Sequence, residues 1–80
     1  MKTVSVKWFA AYREATGIAT ESIATPASTP AELFGELKSR HPRLASSRGA
    51  LVAINQEMAD WETPLNAGDE ILFFPPVAGG

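Results

Sequence analysis

The chemistry that this sequence offers is concentrated at its end, where small residues present a carboxylate on an extended tail, 75–80. The apolar run Ile71–Phe74 predicts a buried strand. Pro75 and Pro76 end it, because neither proline can donate a hydrogen bond to a sheet ladder. Fully extended, such a tail reaches about 20 Å from the domain. Gly79 and Gly80 lack a Cβ, so they fit a passage that admits little more than backbone. We therefore predict that the Gly80 carboxylate is the working group of the protein.

A terminal diglycine also has a simpler interpretation. Chain ends are often frayed and rich in small residues, and two glycines can be left by cloning. The context favours a functional tail, because the predicted strand runs into Pro75 and Pro76 with no linker and the sequence stops at the second glycine.

The rest of the sequence does not predict a self-contained active site. Its nine acidic residues are scattered over turns and polar faces. Asp69 and Glu70 are adjacent, but neighbours in a strand point to opposite faces. His41 stands alone at the predicted end of a helix, where a positive or polar group suits the helix dipole. With no cysteine, the chain has no thiolate for zinc or an iron–sulfur cluster. We expect no metal and no bound cofactor.

Composition limits the classes of partner. Eighty residues predict one domain, 1–80, with the tail 75–80 flexible. A net charge of −2 without a basic cluster argues against a nucleic-acid partner. Lys2 and Lys7 interrupt the apolar start, which predicts neither a signal peptide nor a membrane span. The absence of cysteine suits a reducing compartment, and we expect a cytoplasmic protein.

Hydrophobic periodicity predicts five strands and one main helix. Val4, Val6 and Trp8 alternate with other residues, as in a strand with one buried face. Thr29, Pro30 and Glu32 are typical of a capped helix start, and Pro42 ends that helix. The predicted elements are strand 4–9, a helical turn at 10–16 stopped by Gly17, strand 20–25, the helix from Pro30 carrying Leu33, Phe34 and Leu37, strand 51–54, a brief edge strand at 58–61 after a turn at 55–57, and strand 70–74.

This order indicates an α+β fold, a β-grasp (ubiquitin-like) roll with a mixed sheet of about five strands packed on one main helix. If the first and last strands are adjacent and parallel, then Phe9, Leu72 and Phe74 share the uncovered face, with Leu51 or Ala53 beside them. Exposed apolar patches of this kind often mark partner surfaces. The alternative is an imperfect alternation that leaves some of these side chains half-buried.

Four stretches of the chain carry a resemblance to a known family. Phe9–Gly17 matches the pattern FAxxRExxG, Ala53–Gln56 matches an AxNQ turn, and Thr29–Leu37 is similar to the family's helix opening. Most specific is Pro64–Gly80, which matches PLxxGDExxFFPPVxGG. Over nearly its whole length, the chain resembles the molybdopterin synthase small subunit, a sulfur carrier of the β-grasp type.

The resemblance implies a reaction cycle at Gly80. A ubiquitin-activating-type adenylyltransferase would use ATP to adenylate its carboxylate. Sulfur from a cysteine desulfurase or a rhodanese-like donor would then give a thiocarboxylate. The loaded tail would donate this sulfur to cyclic pyranopterin monophosphate in the active site of the large synthase subunit. The implied assembly is a heterotetramer of two small and two large subunits, in which the small subunit has no active site of its own.

The resemblance also implies a set of site residues. Gly80 carries the acyl adenylate and then the thiocarboxylate, and the patch of Phe9, Leu72 and Phe74 contacts each partner in turn. Two alternatives stay open: a sulfur carrier for another pathway, such as thiazole synthesis or tRNA thiolation, and a ubiquitin-like modifier or interaction module. The tail residues that partners would recognise are Pro75, Pro76, Val77, Ala78 and Gly79.

Overall fold

A computed structural model describes residues 1–76 of the chain. It contains a single five-stranded sheet and two helices within that range. The elements are β1 (Lys2–Trp8), α1 (Ala10–Thr16), β2 (Thr20–Thr25), α2 (Pro30–Arg40), β3 (Leu51–Ile54), β4 (Glu57–Ala59) and β5 (Glu70–Phe74).

The sheet is mixed, and its last strand lies in the middle. The strand order is β2-β1-β5-β3-β4. β1 and β5 pair in parallel, whereas the other three pairings are antiparallel. The first and last strands are therefore adjacent and parallel, which is the condition under which Phe9, Leu72 and Phe74 share the uncovered face. This is the β-grasp arrangement that the sequence predicts.

The core lies between one face of the sheet and α2. Val6, Ile71 and Phe73 are fully buried, as the alternation in β1 and β5 predicts. Phe34 of α2 packs edge-on against Trp8 and Phe73, with ring centroids 6.2 and 5.2 Å apart. Because these side chains point toward α2, the alternating residues of the same strands point to the opposite face.

The start of α2 is capped nearly as predicted. The Thr29 Oγ1 accepts a hydrogen bond from the Glu32 backbone N–H at 3.2 Å. The Glu32 carboxylate accepts from the Ser28 backbone N–H at 2.8 Å, instead of from that of Thr29 as in a standard capping box. Pro30 occupies the first turn, where its missing N–H is not needed. These contacts fix where the helix begins.

The predicted edge strand at 58–61 is wrong at both ends. The turn before β4 consists of two residues, Asn55 and Gln56, with φ of +53° and +71°. Positive φ at both central residues is the geometry of a tight hairpin, so Glu57 already belongs to the strand and pairs with Ile54. Trp61 lies outside β4 and stacks on Phe73 with ring centroids 5.6 Å apart.

Candidate functional site

The candidate site is an apolar groove on the sheet face opposite α2, at the end of β5. It has a volume of about 570 Å³. Its walls come from the start of α1, from the β3–β4 hairpin and from the point where β5 passes into the tail. The lining residues are Phe9, Ala10, Ala11, Leu51, Met58, Phe74, Pro75 and Pro76.

Phe9 and Phe74 form the floor of this groove. Their rings stack with centroids 4.7 Å apart and planes inclined by 18°. The strand register explains the contact, because Trp8 pairs with Phe73 across the parallel strands. The residues that follow them, the extended Phe9 just beyond β1 and Phe74 in β5, point to the outer face. Both rings are half-buried. The structure thus brings together two of the three residues predicted to contact partners.

Leu72, the third residue, is not one of the residues that line the groove. It lies on the outer face, opposite Lys7 in β1 and Ala53 in β3, and is half-buried. Farther along the same face, Lys7 and Glu70 form an ion pair at 3.6 Å. The outer face therefore changes from polar at the start of β5 to apolar at its end. A partner role for Phe9, Leu72 and Phe74 stays a prediction.

Met58 is a groove residue that the sequence analysis missed. It is 63% exposed, and Leu51 in the same wall is 57% exposed. Met58 pairs with Ala53 across the hairpin, so it shares a face with Leu51. The signal was present in the turn: a two-residue connection at Asn55 and Gln56 places Met58 on the outer face by simple alternation. Two large exposed apolar side chains in one wall strengthen the case for a partner surface.

The tail begins at the rim of the groove. Pro75 is half-buried and Pro76 is exposed, and both contribute to the wall. The remaining predicted tail residues lie outside the described residues; they are Val77, Ala78, Gly79 and Gly80.

His41 belongs to a structural cluster on the other side of the sheet. One Glu21 carboxylate oxygen lies 2.7 Å from the Trp8 indole nitrogen, which donates to it, and 3.0 Å from the His41 Nε2. The Trp8 and His41 ring centroids are 6.0 Å apart. His41 follows α2 directly and donates its backbone N–H to the Leu37 carbonyl, as a helix-end residue does. The geometry ties the end of α2 to β1 and β2.

Tyr12 anchors the loop that follows α2. Its side chain is buried, and its hydroxyl donates to the Ser46 carbonyl oxygen at 2.9 Å. Burial raises the pKa of the Tyr12 hydroxyl above its ordinary value of 10.0, because the phenolate would lose its hydration.

Alkaline pH is expected to destabilise the fold through Tyr12. The unfolded chain releases the phenol proton at about pH 10, whereas the folded chain retains it to higher pH. The contribution of the neutral Tyr12 side chain to the free energy of unfolding is therefore complete below pH 10. It is lost as the pH rises toward the folded pKa, by at most about 1.4 kcal/mol per pH unit. Urea unfolding of the wild type and Tyr12→Phe at several pH values measures this loss. As Tyr12 is the chain's single tyrosine, equal slopes above pH 10 in both proteins would contradict the prediction.

Residues 1–76 hold neither a candidate metal cluster nor a membrane-spanning helix. Among these residues, no three His, Cys, Asp or Glu side chains come together as a metal ion would require. Neither helix in the same range has the length and apolar character needed to cross a membrane.

Comparison with known proteins gives one consistent result. The model of the ThiS family matches residues 6–80. The molybdopterin synthase sulfur carrier subunit of Homo sapiens is 39% identical over 82 residues, which cover 96% of this chain and 93% of the human protein.

Solved structures share the fold. The Haloferax volcanii small archaeal modifier protein 1 superposes with a TM-score of 0.80 at 26% identity, covering 96% of this chain and 100% of that protein. In a complex of subunits 1 and 2 of the molybdopterin-converting factor from Helicobacter pylori, one chain superposes with a TM-score of 0.67 at 29% identity. That match covers 98% of this chain and 99% of the other. With its β-grasp sheet and its likeness to a molybdopterin synthase sulfur carrier subunit, this chain belongs to the ThiS family.

Proposed function

We propose that this protein is the sulfur carrier of molybdenum cofactor biosynthesis and acts as the sulfur-donating small subunit of a molybdopterin synthase. The observation that carries the proposal is the position of the groove, whose Phe9–Phe74 floor lies where β5 passes into Pro75 and Pro76. A partner that covers the groove is therefore held at the root of the tail. Residues 77–80 then reach at most about 13 Å into that partner.

Activation at Gly80 follows from the chemistry of carboxylates. A carboxylate resists attack by nucleophiles, so one of its oxygens must first become part of a leaving group. In the proposed step this oxygen attacks the α-phosphate of ATP, and pyrophosphate leaves. A sulfur nucleophile at the oxidation level of sulfide then attacks the acyl carbon, and AMP departs with the activated oxygen. The product is a thiocarboxylate on Gly80. The sulfur comes from the persulfide of a cysteine desulfurase or a rhodanese-like donor, and a thiol reductant, which becomes a disulfide, releases it at the oxidation level of sulfide.

Delivery takes place in a second partner. The thiocarboxylate enters the active site of the large subunit, and its sulfur replaces an oxygen on a side-chain carbon of cyclic pyranopterin monophosphate. Water then cleaves the bond between that sulfur and the acyl carbon, which returns an oxygen to Gly80. Two such rounds supply the two sulfurs of a dithiolene. The carrier contributes no general acid or base in this scheme. We propose that two carriers and two large subunits form the complex, and that the activating enzyme uses the same groove at a different time.

The experiment that tests the proposal determines which residue of the chain receives sulfur. The chain is incubated with the activating enzyme, ATP and a sulfur donor, and the product is fragmented in a mass spectrometer. We expect the exchange of one oxygen for sulfur, confined to Gly80. Addition of the large subunit and the cyclic pterin should then release the carboxylate form of the chain and yield dithiolene. A chain that is not loaded, or that is loaded at another residue, contradicts the proposal.

A second candidate is protein conjugation, favoured by the likeness to a small archaeal modifier protein. In that case the activated Gly80 carbonyl would be attacked by a lysine amine instead of sulfur. Cell extracts would contain adducts that join Gly80 to lysine side chains.

A carrier for thiazole synthesis or tRNA thiolation would be loaded in the same way but would not restore a strain lacking its molybdopterin synthase small subunit. An interaction module would keep its activity after removal of Gly79 and Gly80.

A further inference from the structure

We propose that the loop between α2 and β3 is a seat for Pro76, and that Gly49 in this loop sets the direction in which the tail leaves the domain. The inference rests on the proposed function, because direction matters only if the tail must enter another protein. In this scheme Gly49 is a positioning residue and acts through Pro76 on the carboxylate of Gly80.

At the seat, the main chain at Gly49 comes close to the ring of Pro76. Gly49 has a φ of +79°, in the left-handed region that favours glycine. A Cβ placed on Gly49 would lie 3.3 Å from the Cβ of Pro76 and 3.9 Å from its Cγ. The shorter distance is tighter than ordinary van der Waals contact, so an alanine would push against the ring. Gly49 therefore meets two separate requirements, one of conformation and one of space.

The loop that carries Gly49 is tied to the core on both sides. The Tyr12 hydroxyl donates to the Ser46 carbonyl oxygen at 2.9 Å, and the Trp61 indole N–H donates to the Ala50 carbonyl oxygen at 3.3 Å. Both aromatic rings pack against Phe34 of α2, with centroids 5.5 and 5.8 Å from it. Because its anchors are core side chains, the loop holds a fixed position relative to the sheet.

The seat and the groove meet at the same residue. Pro76 lines the groove, and its Cβ and Cγ also face the position that a side chain on Gly49 would occupy. The ring of Pro76 also limits backbone rotation, since its φ is restricted. A partner that covers the groove therefore meets a tail whose starting direction is already set, which reduces the ordering entropy lost on insertion.

Two glycine variants separate this role from ordinary strain. Gly68 has a φ of +85°, and nothing lies within 4 Å of a Cβ built on it. It lies in the turn before β5, at the far end of that strand from the tail. Gly49→Ala and Gly68→Ala therefore share the strain of a left-handed alanine, but only Gly49→Ala displaces Pro76. We expect kcat/KM for loading at Gly80 to fall about tenfold in Gly49→Ala, and less than about twofold in Gly68→Ala.

A rescue variant shows whether the effect passes through the proline. Pro76→Gly removes the atom that an alanine at 49 would meet. In this background, Gly49→Ala should lower kcat/KM no more than Gly68→Ala does, which a double-mutant cycle measures. If Gly49→Ala does not fold, Tyr12→Phe loosens the same loop from its anchor and should lower kcat/KM about threefold.

A direct structural readout accompanies the kinetics. The wild-type chain should give nuclear Overhauser contacts between the Gly49 Hα protons and the ring protons of Pro76. Absence of these contacts overturns the seat, whatever the kinetics. Equal losses in Gly49→Ala and Gly68→Ala, or a loss that persists beside Pro76→Gly, also overturn it. A wild-type chain that is not loaded at all overturns the proposed function, and the nuclear Overhauser contacts then still decide whether the seat exists.

Discussion

Removal of Gly79 and Gly80 is expected to leave the domain folded and to abolish sulfur loading. The core residue nearest the tail is Phe73, so the truncated chain keeps every buried contact described above. Its carboxylate, however, is withdrawn by about 7 Å. A misplacement of about 1 Å can lower a rate about 100-fold when reacting atoms must be aligned, so the loss should exceed that factor. Loading is measured by mass spectrometry, and folding by the urea midpoint.

Two variants of matched design separate tail length from tail width. One extra glycine appended after Gly80 keeps the width of the tail but moves the carboxylate outward by about 3.5 Å. Gly80→Ala keeps the length of the tail and adds a methyl group where, in the proposed function, the passage in the partner admits little more than backbone. We expect both to load at least about tenfold more slowly than the wild type, with unchanged urea midpoints. If the truncated chain still delivers sulfur to the pterin, then Gly80 is not the working residue.

The sequence predicts the central part of this fold well, for an identifiable physical reason. β1 and β5 are buried on the α2 side, so Val6, Ile71 and Phe73 recur with the period of a strand. Thr29 and Pro30 mark the start of α2 because the first backbone N–H groups of any helix need acceptors or must be absent. Both signals lie within a few residues of the element that they predict, so they do not depend on contacts between distant parts of the chain.

The edge of the sheet was harder to predict because its register depends on one turn. A tight hairpin with positive φ at both central residues usually contains glycine, whereas this one contains Asn55 and Gln56. Because these positions hold no glycine, the sequence predicts a longer turn, 55–57, and a strand, 58–61, that is shifted toward Trp61. The position of Trp61 is decided by its stacking on Phe73, a tertiary contact that periodicity does not encode.

The sequence predicts the floor of the groove, but it does not predict the wall at the start of α1 or the approach of Gly49 to Pro76. Phe9 and Phe74 share a face because of strand alternation, which the sequence carries directly. The wall formed by Ala10 and Ala11 depends on a sharp turn after Phe9, where Ala10 has a φ of +49°. Alanine gives no sign of a left-handed conformation. The contact of Gly49 with Pro76 joins residues far apart in the sequence, and only the folded chain reveals it.

Phe74→Ala is expected to weaken binding to the large subunit by about 2 kcal/mol, a rise of about 30-fold in Kd. Phe74 forms the groove floor with Phe9, and a few well-packed side chains of an interface usually contribute most of the binding energy. Its ring is half-buried and stacks on Phe9, so we also expect a loss of about 1 kcal/mol in the free energy of unfolding. Calorimetric titration with the large subunit measures the first effect, and urea unfolding measures the second.

Ile18→Ala is the matched control, because Ile18 is a large apolar residue that is 38% exposed and does not line the groove. It should leave Kd unchanged within about twofold, since exposed side chains outside an interface contribute little to binding. Phe9→Ala combined with Phe74→Ala should raise Kd by less than the product of the two single effects, because each ring positions the other. If Phe74→Ala binds as tightly as Ile18→Ala does, the groove is not the partner surface. The tail would then have to dock unaided, and its four residues beyond Pro76 would have to supply all of the affinity.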